Sequence, residues 1–381
     1  MMSSDPGPVS GGDPKRVQPE GSISTTALLR SHPSQMAAIA VILASVSAVF
    51  AYTGGFLTSN RLDPSRIVNA MEAAGGGPYA GFRRAHSKGV CIAGTFVGSK
   101  AGRSLSKATV FVGHPVPVTG RFAEAGADPF AKDSTQVVRS MALRLQPLHA
   151  AEWRMAINDT PGLNVSTPQA FYESVVASIP VPGTGKPDPR KMQAFLGKHP
   201  EAAAFMERMQ ARRLAPGFTD DSYNSVDGFI FEDADGTRRL VRWTMQAEDR
   251  FASSTEMPQT AASANAVFDG LLARIAKGPV RWRMIATLAQ PGDVNRAAEV
   301  WPADRPHVDL GELTIDRVES EATGNCRDIN FDPLVLPPGV LPSDDPIPFA
   351  RSAVYAISFR RRAGESKSAS AINHETAGAR P

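Results

Sequence analysis

Between Asn330 and Arg362 the chain reads NFDPLVLPPGVLPSDDPIPFARSAVYAISFRRR, a run that leaves the backbone little choice. Pro333, Pro337, Pro338, Pro342, Pro346 and Pro348 each remove a main-chain donor and hold φ near the extended region, so neither a helix interior nor a central strand is open there. The prolines then stop. From Phe349 the sequence can form about two to three helical turns that bring Arg351 and Tyr355, four apart, onto one face. An arginine beside a half-buried tyrosine favours the phenolate, and a phenolate is a hard anionic ligand for ferric iron. Taken alone, the same pair is equally at home in a core, with the tyrosine hydroxyl satisfied by a neighbour.

Residues 1–35 are rich in Ser, Pro and Gly with balanced charge and no apolar period, and are expected to be disordered. Between Arg30 and Arg61 no Lys, Arg, Asp or Glu occurs. The centre of that stretch, Met36 to Leu57, is long enough to cross a bilayer as a helix, and its apolar residues run all round it rather than in one stripe, which favours a membrane segment over a buried core helix. Val49 and Ala51 offer a cleavage site, but the polar leader is long for a signal peptide, so an uncleaved anchor is expected. Lys15, Arg16 and Arg30 precede the segment while Arg61 and Arg66 follow it, a weak bias. An inward N-terminus places the remainder outside the cytoplasm, in a periplasm behind the inner membrane. A net charge of +3 over 381 residues, with no basic block interleaved with aromatics, argues against nucleic acid as a partner. Cys91 and Cys326 form no CxxC pair and no zinc spacing; we expect two buried thiols ahead of one long-range disulfide.

Past the apolar segment, Asp63 and Pro64 open a short helix through Met71, stopped by Gly75, Gly76 and Gly77. Strands are then expected over Val90–Val97, Ala108–Phe122, Val137–Leu145 and Trp153–Asn158. Helices follow from Ser166 to Val176 and from Arg190 to Leu214, the second broken at Pro200. Gly228–Glu232 and Arg238–Gln246 read as a hairpin across an Ala-Asp-Gly turn. Thr255–Lys277 reads as helix, Val280–Gln290 as a strand and Leu310–Val318 as the last strand. Many antiparallel strands with helices between them argue for a barrel decorated by helices. We expect one domain over 58–363 and a small, polar, disordered tail over 364–381.

Several ordered motifs accompany the Tyr355 stretch. Gly81-Phe82-Arg83-Arg84-Ala85-His86-Ser87-Lys88-Gly89-Val90 places a histidine just ahead of a strand. Val118-Thr119-Gly120-Arg121-Phe122 and Ile157-Asn158-Asp159-Thr160-Pro161 follow in order. With Asn224 to Trp243 and Val300-Trp301-Pro302 to Leu313, this arrangement resembles the catalase family, in its short catalase-related peroxidase branch, over about Gly54 to Arg362. The resemblance implies an α+β fold, a catalase-like antiparallel β-barrel with peripheral helices, preceded here by one N-terminal transmembrane helix. It also implies haem b as cofactor, Tyr355 as iron ligand with Arg351 beside it, and Arg83, Arg121 and Arg362 at the positions that hold the propionates. His86 falls where a neutral imidazole shuttles a proton between peroxide oxygens, and Asn158 where a neutral amide stabilises charge on the departing oxygen.

The chain departs from ordinary catalases in ways that bear on activity. Ala123 stands where the larger enzymes commonly carry a hydroxyl that orients the distal histidine, so control of the His86 tautomer is weaker or comes from elsewhere. The Asn158-Asp159-Thr160-Pro161 motif continues as Gly162-Leu163-Asn164 rather than paired phenylalanines, Arg242-Trp243-Thr244 lacks the histidine of that strand, and no long threading arm or C-terminal extension is expected. Each change opens the pocket. The implied function is a peroxidase that reduces organic peroxides, and hydrogen peroxide, with an external electron donor. The alternatives are a true catalase or a barrel that binds haem or lipid without turnover.

Overall fold

The computed structural model describes residues 33–53, 62–133, 138–249 and 264–372. The chain divides into two compact units, Met1–Arg61 and Leu62–Pro381. In the first, helix α1 (Pro33–Thr53) has no buried residue and is the one helix among the described residues that is long and apolar enough to cross a membrane. It covers most of the expected 36–57 segment, whose last four residues lie outside the described chain, as do residues 1–32 of the leader.

The second unit opens with α2 (Pro64–Ala74), where the Asp63 carboxylate accepts from the Arg66 N–H at 3.0 Å and Pro64 supplies a residue that needs no donor. Eight antiparallel strands then close a barrel. In chain order they are β1 (Gly89–Gly98), β2 (Val116–Glu124), β3 (Arg139–Leu145), β4 (Trp153–Asn158), β5 (Tyr223–Asn224), β7 (Arg238–Ala247), β8 (Val280–Leu288) and β9 (His307–Glu319), with β9 returning to pair with β1. A side flap is formed by β6 (Phe229–Glu232) against β7, with β10 (Val340–Pro342) on its outer edge. Closure removes the open edges that an eight-stranded sheet would otherwise present. Bulges bend the pairing between Ala93 and Gly94 and between Met284 and Ile285, and a Cβ on Gly94 would stand 1.9 Å from the Thr314 carbonyl oxygen.

Large side chains fill the interior. Phe96, Phe122, Met141, Leu143, Trp153, Tyr223 and Trp282 are fully buried. Outside the barrel lie α3 (Lys100–Leu105), α4 (Pro168–Ala177), α5 (Pro189–Lys198), α6 (Pro200–Ala211), α7 (Ala266–Ile275) and α8 (Ile347–Ala363). Val165, Ala170, Phe195 and Ala202 join α4, α5 and α6, while Ile67, Val68 and Val354 join α2 to α8.

Several expectations need correction. The strand expected from Ala108 starts only at Val116, because Thr109–Phe111 form a 3-10 turn before Gly113 and Pro115 release the chain. The last strand is not β9, since Val340–Pro342 pair with β6; Pro342 is tolerated there because an edge strand has no neighbour awaiting its missing N–H. The final helix runs for 17 residues from Ile347, taking Pro348 into its first turn, where no donor is needed. The helix expected from Thr255 is seen only as Ala266–Ile275, residues 250–263 lying outside the described chain. Residues 364–372, read as the start of a loose tail, pack back: Glu365 pairs with Arg84, Ser368 donates to the Ala80 carbonyl at 2.7 Å and Ile372 is buried.

The cysteines are not free. Cys91 on β1 and Cys326 in the turn after β9 form a disulfide, with Cα atoms 5.3 Å apart. A sequence separation of 235 residues hides what the barrel reveals, because β9 runs antiparallel to β1 with Glu319 opposite Cys91, and the chain needs only a short turn to return. Cross-linking so large a loop restricts the unfolded chain. The double variant Cys91→Ser/Cys326→Ser should therefore lose roughly 2–5 kcal/mol in urea unfolding relative to the oxidised wild type, and wild type in reductant should approach the same midpoint.

Candidate active site

Strand alternation builds the floor of the principal cavity. On β2, β3 and β4 the core side is taken by Phe122, Met141 and Ile157, and the opposite side presents Arg121, Ala123, Ser140, Ala142, Ala156 and Asn158 to the cleft. Register aligns them in rows: Ala123 opposite Ser140, Ser140 opposite Asn158, and Ala142 opposite Ala156. Small side chains make this floor flat. The facing wall is α8, whose residues Ile347, Arg351, Val354, Tyr355, Ser358 and Arg362 recur every three or four positions and so share one side of the helix. Ile67 and Met71 of α2, with Leu163, Pro168 and Phe171, supply apolar flanks.

Tyr355 is fixed by its helix and by Arg351, one turn earlier. The Arg351 Nη2 lies 3.4 Å from the phenol oxygen and donates to the Ala156 carbonyl of β4 at 2.6 Å, while Nη1 donates to the buried carboxylate of Asp227. Burial would lower the Arg351 pKa, but Tyr355 and Asp227 together raise it, so the guanidinium is a permanent charge. Asp227 sits in the loop between β5 and β6; burial pushes its pKa up, opposed by Arg351.

His86 lies at φ 51°, a left-handed conformation that non-glycine residues adopt at a cost of about 1–3 kcal/mol, and that strain is held by neighbours. Arg121 is the clamp. Its Nη1 donates to the His86 carbonyl at 2.6 Å and its Nη2 to the Ser87 carbonyl at 3.0 Å, and its charge is paired with the Glu321 carboxylate through Nε at 2.7 Å. Gly89 makes room for it, since a Cβ there would stand 2.5 Å from the guanidinium carbon. Burial, and then the positive charges of Arg121, Arg351 and Arg83, depress the His86 pKa to about 3, leaving a neutral imidazole. Its Nδ1 lies 2.9 Å from the Ser140 hydroxyl, which donates to Asn158 Oδ1 at 2.6 Å.

The remaining two predicted arginines also line the cleft. Arg83 donates to the carbonyls of Cys326, Arg327 and Ile329, and Arg362 to those of Arg327 and Ile329. Among the described residues neither has a carboxylate within ion-pair distance. Burial first, then the charges of Arg362 and Arg121, press the Arg83 pKa well down; burial and Arg121 lower that of Arg362 to about 10. Two mutually repelling cations, Arg362 buried and Arg83 half-buried, held by neutral carbonyls are a ready site for a paired anion. With the flat floor and the phenol on the facing helix, this donor set fits haem, whose propionates Arg83 and Arg362 would hold and whose iron Tyr355 would bind. Arg121 lies in the same cavity but is already neutralised by Glu321.

All seven residues singled out in the sequence, His86, Asn158, Tyr355, Arg351, Arg83, Arg121 and Arg362, thus line one cavity. Three partners escaped notice: Ser140, Asp227 and Glu321. Only Ser140 left a trace, a lone hydroxyl on the small-residue side of an alternating strand.

The fold agrees with comparisons to known proteins. The family model for catalase matches residues 81–379. A catalase-related peroxidase of Synechococcus elongatus is 35% identical over 326 residues, covering 85% of this chain and 96% of its own length. One from Mycolicibacterium paratuberculosis is 27% identical over 317 residues, covering 82% and 99%. Among solved structures, a fungal catalase aligns with a TM-score of 0.68 at 18% identity over 75% of this chain and 60% of its own. A bacterial catalase aligns at 0.67 and 20% identity over 75% and 58%. The chain therefore spans nearly all of both peroxidases but under two thirds of these solved catalases, whose likeness speaks for the fold alone. By the match over residues 81–379 and the 35% identity along most of its length, the chain belongs to the catalase family.

Proposed function

We propose that this peroxide-acting oxidoreductase is a haem b peroxidase that reduces organic hydroperoxides, and hydrogen peroxide, with electrons from an external donor. The observation that carries the reading is the meeting, in one cavity, of Tyr355 with Arg351 on a helix and of a neutral His86 with Asn158 on the barrel. The relatives named catalase-related peroxidase, matched over nearly their whole length, point the same way. Bound haem would supply a redox-active iron able to accept the oxidising equivalents of a peroxide, with Tyr355 as its ligand and Arg83 and Arg362 holding its propionates.

The chain supplies the rest. A depressed pKa gives His86 a free lone pair at neutral pH, so it can take the peroxide proton from one oxygen and return it to the departing oxygen, which leaves as alcohol or water. The Asn158 amide stabilises charge on that oxygen without changing its own protonation. Arg351, paired with Asp227, sets its guanidinium beside the Tyr355 oxygen, the group that would bind the iron of a bound haem. The apolar flanks at Ile67, Met71, Leu163 and Phe171 suit an alkyl tail better than they suit water, which favours organic peroxides over bare hydrogen peroxide. A disulfide and an apolar N-terminal helix both support placement outside the cytoplasm, in a periplasm, with the helix as anchor.

Tyr355→Phe should purify with little or no Soret absorbance, while His86→Ala should keep haem and lose roughly 10²–10⁴-fold in kcat/KM toward an alkyl hydroperoxide with an oxidisable donor. Full peroxidase rate in His86→Ala would remove the proton-shuttle role. Oxygen released from hydrogen peroxide without donor, faster than donor-dependent turnover, would instead favour the catalase reading.

The pH profile is set by the same imidazole. Protonated His86 is inactive as a base, so the acid limb of kcat/KM should lie well below pH 6.5, with activity level from about pH 5 to about pH 8. Stability has the matching sign: the unfolded chain binds this proton below the ordinary histidine value and the folded chain does not. The His86 contribution, present above about pH 6.5, should therefore fade in denaturation measurements as pH falls.

A further inference from the structure

The Ser140 hydroxyl is buried between two groups of opposite need. It donates its single proton to Asn158 Oδ1 at 2.6 Å, so its oxygen is left as an acceptor for the His86 ring nitrogen 2.9 Å away. That nitrogen, Nδ1, must then carry the ring proton, and Nε2 must carry the lone pair. The same bond turns the Asn158 amide so that its NH₂ group points away from Ser140. The His86 ring also meets the backbone carbonyl of Glu124, which can only accept, and both His86 and Asn158 line the cleft. Ala123, directly across the strand pair from Ser140, has no hydroxyl to offer in its place.

We propose that Ser140 is a positioning residue that sets the His86 tautomer and the Asn158 amide orientation through one hydroxyl, an inference that rests on the peroxidase reading above. The two settings are linked. A flipped amide would donate to Ser140, Ser140 would donate to Nδ1, and the imidazole would carry its proton on Nε2, with no base facing the cleft. One oxygen therefore selects between a row of groups with both catalytic atoms prepared and a row with neither. Position 140 can do this because it pairs with Asn158 on one side and sits beside the His86 turn on the other.

The test is histidine ring-nitrogen NMR on the full chain purified without haem, with His86→Gln identifying the His86 signal, alongside steady-state kinetics of the haem-loaded enzyme on an alkyl hydroperoxide. Wild type should show the Nδ1–H form, Ser140→Ala a mixture of tautomers, and Ser140→Thr the wild-type form. Ser140→Ala should retain haem and lose roughly tenfold to a hundredfold in kcat with KM little changed, the scale seen when hydrogen-bond partners that orient functional histidines are removed, and Ser140→Thr should recover most of it. An Nε2–H signal in wild type, which needs no variant to fold, overturns the assignment, as does a Ser140→Ala chain with unaltered tautomer and turnover. Should His86→Ala keep full activity, the proton-shuttle reading fails separately, while the ring signal still decides what Ser140 sets.

Discussion

One buried cation ties the two halves of the cavity together. Arg351 starts on α8, passes the oxygen of Tyr355, bonds to the carbonyl of Ala156 on β4 and ends on the carboxylate of Asp227. The helix that carries the phenol is thereby locked to the sheet that carries Asn158. Two of these contacts are polar groups removed from water, so the arrangement is stable only when complete; opening one side of a buried pair costs about 3–5 kcal/mol. The spacing between floor and helix is therefore set by a hydrogen-bonded charge rather than by apolar packing, which would tolerate a slide.

The floor shows how one set of strands serves two purposes. On β2 to β4, Phe122, Met141 and Ile157 fill the barrel while Ala123, Ser140, Ala142 and Ala156 leave the other side low. Large-in and small-out alternation does not follow from a need for solubility, which would place charge outward. It follows from a second body having to lie on that face. Arg121 fits the scheme because its side chain runs back under the His86 turn to Glu321 and leaves the surface free.

The sequence made His86, Tyr355 and Arg351 visible because each belongs to a local pattern, a histidine ahead of a strand or an arginine one turn before a tyrosine. Helix starts at Pro64 and Pro168 were equally plain, since caps and prolines act over three or four residues. What it withheld depends on distance along the chain. Ser140 acquires its role from Ala123 and Asn158 on neighbouring strands, and Asp227 meets Arg351 across 124 positions. The Cys91–Cys326 bond was misjudged for the same reason, because barrel closure, not spacing, brings β9 to β1. Proline counting placed the connector correctly but understated α8, since Pro348 is harmless in a first turn.

The disulfide touches the cavity more closely than its place on β1 suggests. Cys326 lends its own carbonyl to Arg83, and the next residues, Arg327 and Ile329, hold both Arg83 and Arg362. The rack that gathers two repelling guanidiniums is thus the stretch of chain immediately after the cross-link. A covalent bond to the barrel wall and the carbonyls that hold both guanidiniums therefore lie on one short stretch of chain, so a single tether fixes the electrostatic end of the cavity to β1.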